Sequence, residues 1–375
     1  MAAIYLHIPF CYKKCAYCDF FSVANTKNVE QFVSCLLKEM EIRKYFLDNK
    51  KIQTIYFGGG TPSLLSPAQI EILMNGLHKY FSIDSNIEFT LEANPDDLNK
   101  NYLTDILSLG VNRLSIGIQS FQDKDLKLMK RRHTAQQAIE CVLLAQESGF
   151  KNISVDLIYG LPDLKIHEWE ENIKSALDLN IQHISAYHLT IEPNTLFKKW
   201  WQQNKITLPD DDESLNQFNL LKELTQKNGF LHYEISNFAK DGFLSLHNTN
   251  YWMGKKYLGL GPSAHSYNLS SRQWNISNLQ VYLSEISKGI LPNEIENLSL
   301  NEKYNDYILV SMRTMWGADI QKIENEFGAS YKHHFLNKQK KYFEKGLLKK
   351  SGNRFILSDK ALFISDQIIS ELFIV

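Results

Sequence analysis

Five cysteines in 375 residues are too few for a scaffold built on disulfides, and a chain of this length can bury a core that needs no such staples. No charge of one sign dominates: 41 Lys and Arg against 42 Asp and Glu leave a formal net charge of −1. No global field therefore draws the whole protein onto nucleic acid or a membrane surface. No run of about 18 apolar residues is available to cross a bilayer. The N-terminus passes from Met1 into AIYLHIPF without a basic region, a long apolar stretch or a small-residue cleavage site, so no secretory signal is expected. Neither an internal repeat nor a low-complexity tract breaks the chain. These absences leave a globular, cytoplasmic protein, in a compartment where close thiols bind metal or do chemistry more often than they pair.

Short β-branched and aromatic runs recur at 3–8, 54–57, 87–92, 113–118, 153–159 and 183–189, each with the pattern of a buried strand. Helical patterns lie between them. Ser66, Pro67 and Gln69 open one, and Thr134 with Gln137 another, both spaced as capping boxes. Strand alternating with helix implies parallel strands joined by right-handed crossovers, in a barrel or a doubly wound sheet. Ligands in either arrangement sit at the carboxyl ends of the strands. There the sequence places the cysteines after the first strand and GGGTP after the second. Glu92 and Asn94 end the third, Gln119 ends the fourth, and Asp156 and Tyr159 lie late in the fifth.

Beyond residue 200 the rhythm changes. A polar connection leads into a helix over 213–228, HYEISNFA reads as one further strand, and 241–270, rich in Gly, Asn, Tyr and Ser, reads as loops. From 300 onward the order is helix, short helix, helix and strand, a small helical domain closed by a β-hairpin in the manner of winged-helix modules. Three parts result: a barrel over 1–230, a loop-rich extension over 231–295, and a winged-helix-like domain over 296–375.

Three of the five cysteines, Cys11, Cys15 and Cys18, fall within eight residues. Thiolates on one loop can all face the same iron or zinc centre, yet a closed structural zinc site takes four ligands and no fourth cysteine is near. Cys35 and Cys141 fall in apolar stripes of helical segments, where a free cysteine behaves as a small hydrophobe. His7 sits on a strand whose alternation turns it away from the loop. A cubane iron–sulfur cluster meets the shortage differently, with three irons on three thiolates and a fourth open to another ligand. Zinc and incidental thiols are the other readings of the spacing.

The C-x3-C-x2-C loop, its aromatic-rich continuation and the later GGGTP resemble the radical S-adenosylmethionine (SAM) superfamily. YLHIPFC, GGGTP, IGIQSF, DLIYGLP, YEISNFA and HNTNYW follow the order of one branch, that of coproporphyrinogen dehydrogenase and the HemW heme chaperones. The resemblance implies an α/β fold, a partial (β/α)6 TIM-like barrel. It also implies a [4Fe-4S] cluster on Cys11, Cys15 and Cys18, whose open iron is chelated by the amino and carboxylate groups of SAM. Reduction of such a cluster can cleave SAM to a 5′-deoxyadenosyl radical. Tyr5 and Tyr17 would flank the methionine and adenine of SAM, and Gly58, Gly59, Gly60 and Thr61 would receive its amino group. Glu92 would pair with amino or ribose groups, while Gln119, Arg131 and Asp156 would meet a second SAM. Packed tyrosines, a tight turn at the glycines and an Arg131–Asp156 ion pair are the purely structural readings of the same residues. Lys130 departs from the pattern, since glycine is expected before the arginine.

In HNTNYW the resemblance makes His247 the axial ligand of heme iron and Tyr251 and Trp252 flat faces for the porphyrin. A hydrogen-bonded surface histidine is the plainer reading. Phe20 occupies the place where the dehydrogenase carries a further cysteine, and with HNTNYW this favours a chaperone. A chaperone would bind heme and pass it to an acceptor protein, one at the membrane included. The dehydrogenase would decarboxylate coproporphyrinogen III without oxygen. Segment 331–354 holds eight Lys or Arg, but the balanced charge argues against a nucleic-acid partner. A solvated helix face over the barrel mouth is expected instead.

Overall fold

The computed structural model describes residues 2–374. Six parallel strands follow the six predicted runs: β1 (Ala2–Ile8), β2 (Ile52–Gly59), β3 (Ile83–Ala93), β4 (Arg113–Gln119), β5 (Ile153–Tyr159) and β6 (His183–His188). They stand side by side in sequence order. β1 and β5 are buried at all but one position each, as parallel strands covered on both faces require. Helices α1 (Val29–Arg43), α2 (Pro67–Tyr80), α3 (Lys100–Ser108), α4 (Asp123–Leu128), α5 (Ala135–Glu147) and α6 (Ile166–Asp178) return the chain between them. The order β1 to β6 does not close on itself, so this is a partial (β/α)6 barrel. Both capping boxes form, Ser66 with Gln69 on α2 and Thr134 with Gln137 on α5. Each satisfies two otherwise unpaired N–H groups, worth about 1 kcal/mol.

After β6 come α7 (Leu196–Gln202), which the sequence does not predict, and α8 (Asp211–Lys227). HYEISNFA is a hairpin rather than one strand, with β7 (Phe230–Glu234) and β8 (Asn237–Lys240) antiparallel. The Glu234 carboxylate accepts the Ser236 N–H and closes the turn, while β8 pairs with β6 and extends that end of the sheet. At the other end β9 (Tyr257–Leu260) runs parallel to β1. From it β10 (His265–Tyr267), β11 (Ser271–Asn275) and β12 (Asn293–Asn297) continue antiparallel.

Segment 241–270 is therefore not a set of loops, and HNTNYW lies in a helix, α9 (Leu246–Trp252). Its cause is partly remote. Ser245 caps it locally, and Glu88 of β3 accepts the N–H groups of Leu246 and His247 at 2.9 Å each. A carboxylate there offsets the positive end of the helix dipole.

Helix α10 (Leu279–Ser287) packs on α1, and a second core follows. There α11 (Leu300–Met312), α12 (Ile320–Phe327) and α13 (Ala329–Glu344) enclose Tyr304, Ile308, Ile323 and Phe335. Strands β13 (Ala318–Asp319), β14 (Leu348–Ser351) and β15 (Arg354–Leu357) form a three-stranded sheet beside them. This is the predicted order of helices and hairpin, with one further helix, α14 (Ser365–Glu371), where the sequence predicts none. Among the described residues no helix is long and apolar enough to cross a membrane.

Candidate functional site

The chain leaves β1 at Ile8 and makes a loop that its own backbone closes: Val23 donates to Pro9 O at 2.7 Å, and Cys11 to Val23 O at 3.0 Å. Ala16 donates to Met129 O and accepts from Phe197 N–H, both at 3.0 Å, which ties the loop to the end of α4 and the start of α7. Cys11, Cys15 and Cys18 line a cavity of about 380 Å³ at the carboxyl ends of the strands. Thr61 Oγ1 donates to Cys11 Sγ at 3.4 Å and Arg131 Nη1 to Cys15 Sγ at 3.5 Å. All five cysteines are free. Burial pushes the Cys11 thiol up and that of Cys18 up to about 11, so only a bound cation would hold both as thiolates at neutral pH. Among the described residues no three His, Cys, Asp or Glu groups gather closely enough for a single ion.

Gly59, Gly60 and Thr61 line the same cavity, and protein atoms crowd the places where side chains on the two glycines would stand. A Cβ on Gly60 would stand 2.7 Å from Phe10 O, and one on Gly59, at φ +112, 2.8 Å from the His7 ring. The glycines make a tight turn, and the turn brings the cysteine loop against β2. Gly59 also gives its N–H to Glu92 at 3.1 Å. Glu92 accepts the Tyr56 hydroxyl at 2.7 Å as well, and burial, followed by the charge of Asp156, raises its pKa from 4.5 to about 7. Asp156 is raised to about 6, chiefly by burial, and accepts from Ser115 at 3.2 Å. Two reluctant carboxylates on one cavity wall suit a cationic occupant.

Arg131 and Asp156 form no ion pair, which corrects the structural reading of those two. The guanidinium donates instead to Asn94 Oδ1 at 2.7 Å, to Gly117 O and to Cys15. Its neighbour Lys130 has φ +58, the left-handed conformation that glycine adopts at no steric cost. Gln119 has φ +72 and lines the cavity with Tyr17, whose ring packs 6.4 Å from that of Phe197.

A larger cavity of about 1220 Å³ adjoins the first, and Phe20, Glu92 and Tyr187 line both. Tyr5 lines this larger space, with its hydroxyl 3.1 Å from His7 Nδ1. The far wall comes from the C-terminal domain, with Lys303 and Tyr307 of α11 and Lys322 and Phe327 of α12. The basic stretch 331–354 lines neither cavity, contrary to expectation, because the face of the domain turned to the barrel is that of α11 and α12.

HNTNYW contributes unequally. His247 is only 1% exposed. Its Nδ1 lies 2.8 Å from Thr54 Oγ1 and its Nε2 2.8 Å from the Tyr251 hydroxyl. Burial and Arg113 lower its pKa to about 3. Both ring nitrogens are thus engaged in hydrogen bonds. Tyr251 lines the large cavity. Trp252 does not, since successive helical residues point about 100° apart, and its ring lies 5.8 Å from the Arg313 guanidinium. Tyr56, Tyr187, Tyr257, His265 and Lys303 of the cavity wall carry no sequence signal as a set. The alternation along β9 and β10 that would have marked Tyr257 and His265 is too short to stand out from a loop.

A family profile described as Radical SAM superfamily matches residues 5–176, and one described as HemN C-terminal domain matches 298–364. The chain is similar to the heme chaperone HemW of Lactococcus lactis, with 32% identity over 98% of this chain and 96% of that one. It is 32% identical to that of Bacillus subtilis over 98% of both chains. It is 38% identical to that of Escherichia coli over 70% of this chain and 69% of that one. Among solved structures, coproporphyrinogen III oxidase (HemN) from Escherichia coli, described as a radical SAM enzyme, superposes with a TM-score of 0.86 at 23% identity. That likeness is one of fold and covers 99% of this chain and 90% of the other.

Proposed function

Because this chain belongs to the HemW family of heme chaperones, we propose that it binds heme in the 1220 Å³ cavity and passes it to an acceptor protein. A [4Fe-4S] cluster and SAM are the cofactors of its radical SAM fold, and we assign them to the adjoining cysteine pocket. The observation that carries this reading is the common wall: Phe20, Glu92 and Tyr187 border both cavities. Cys11, Cys15 and Cys18 would hold three irons, and Thr61 and Arg131, already donating to two of these sulfurs, would spread their charge. Glu92 and Asp156 offer carboxylates to the cationic groups of SAM. The loaded cluster supplies one-electron chemistry. Tyr5, Tyr56 and Tyr251 present flat faces to the larger space, where a macrocycle can lie.

Residues 1–230, 231–295 and 296–375 serve, in this reading, as cofactor barrel, heme-cavity extension and cavity lid; the separate C-terminal core supports that division. We place the protein in the cytoplasm, where five free thiols persist, and the acceptor at the membrane. Vesicles bearing the acceptor should then take heme from the loaded protein and leave the protein in the supernatant. The likeness to coproporphyrinogen III oxidase is one of fold and gives the dehydrogenase reading no separate support. Anaerobic reconstitution followed by heme titration tests the proposal: a Soret band saturating at about one heme per chain is expected, with no protoporphyrinogen formed from coproporphyrinogen III. Absence of the band, or turnover of the porphyrinogen, would overturn it.

A further inference from the structure

Three histidines line the larger cavity, His7, His247 and His265. Imidazole can ligate heme iron only through a ring nitrogen with a free lone pair, and two of the three have none to spare. His7 Nε2 lies 2.9 Å from Phe21 O, and its Nδ1 3.1 Å from the Tyr5 hydroxyl. His247 is held between Thr54 and Tyr251. His265, on β10, is exposed to the cavity, and neither of its ring nitrogens has a hydrogen-bond partner among the described residues. Its ring is stacked on Trp274 at 6.0 Å and 27° across the β10–β11 pair, so its orientation is set by packing while its polar edge stays open.

The surroundings of His265 have the makeup a heme requires. The cavity of about 1220 Å³ exceeds the roughly 300–1,000 Å³ of sites for drug-sized ligands. Tyr257, Tyr267 and Phe327 supply flat apolar area on its wall. Lys303, half-buried on the same wall, forms no ion pair among the described residues, whereas Arg272 is engaged by Glu296 at 3.2 Å and Asp306 at 3.3 Å. A free ammonium on the cavity wall is a place for a carboxylate.

Resting on the heme-binding reading above, we propose that His265 is the axial ligand this cavity presents to the iron of heme, with Lys303 receiving a propionate. Burial and the nearby Arg272 charge lower the pKa of His265, so the neutral, coordinating form prevails at neutral pH.

The test uses the full-length protein, reconstituted anaerobically and titrated with hemin, with the Soret band and the low-spin ferric EPR signal as readouts. His265→Ala should lose the imidazole-type low-spin signal and weaken heme binding about tenfold. Cluster iron and melting temperature should be retained, because the side chain is exposed. Free imidazole should restore the low-spin signal in that variant and do little to the wild type. Lys303→Gln should weaken binding without altering the axial signature. If His265→Ala keeps the wild-type signal and affinity while His247→Gln loses them, the assignment of His265 is wrong and heme binding stands. If the wild type takes up no heme, the proposed function itself fails and takes this inference with it.

Discussion

Glu92 holds its proton far longer in the folded chain than in the unfolded one, with a pKa of about 7 against 4.5. A carboxyl raised in this way contributes stability that is full below the unfolded value and is lost as the pH climbs through the folded one. Ionisation above pH 7 therefore works against the ligand-free fold. Glu92→Gln should raise the stability of the ligand-free protein by about 2 kcal/mol at alkaline pH and by nothing near pH 4.5, read from urea midpoints at the two extremes. The same ionisation favours a cationic ligand. SAM affinity should rise with pH through about 7 in the wild type, and the variant should lack that step while keeping the one through about 6 at Asp156, which isothermal titration would report. Lys130 makes a smaller case. Its left-handed backbone costs a side-chain-bearing residue about 1 kcal/mol, while its ammonium lies 5.4 Å from the Trp200 ring. Lys130→Gly should leave a net gain of about 0.5 kcal/mol in thermal unfolding. That position was legible as a departure from a glycine pattern, and the cysteine trio was legible from its spacing. The side of α9 that Trp252 takes was not legible, because a string of letters does not show which face of a helix each residue takes.

The strands β1 to β6 could be read directly because continuous Ile, Val, Leu and Phe leave a parallel strand few alternatives, and the capping boxes because both partners lie within one turn. Helix α9 could not. It is short and polar, and its N-terminus depends on Glu88, which is 158 residues distant in sequence from Leu246. Glu88→Ala leaves two N–H groups without their acceptor. It should cost about 1–2 kcal/mol and release His247 and Tyr251 from the cavity wall, seen as faster amide exchange confined to 245–252. The second strand end behaves differently, because there the constraint is steric. Gly60 also donates its N–H to Ile8 O at 2.8 Å, and a methyl group would meet Phe10 O at 2.7 Å, backbone against backbone, with no side chain free to move aside. Gly60→Ala should displace the cysteine loop. Iron retained after reconstitution should fall to less than about half of wild type while the far-ultraviolet circular dichroism stays the same.

At the scale of the whole molecule the charge density of 331–354 was visible in the sequence, but the face a domain turns to its neighbour is decided by packing, and that face belongs to α11 and α12. The result is two cavities of different parentage. Cysteines and carboxylates from the barrel alone line the smaller one, whereas the larger is completed across the boundary by a domain with its own core. The two binding functions should therefore separate. Leu309 is 39% exposed and Lys303 half-buried, both on the α11 face that borders the large cavity. Placing carboxylates there by Leu309→Glu with Lys303→Glu opposes both the apolar faces and the propionates of a porphyrin without disturbing either core. Heme affinity should drop more than about tenfold, while iron content after reconstitution and SAM affinity remain those of the wild type. Cys15→Ala should do the reverse, removing the cluster and leaving the heme titration intact. Should the α11 pair leave heme binding unchanged, the C-terminal domain is no wall of the heme site, and heme must be held by the barrel alone.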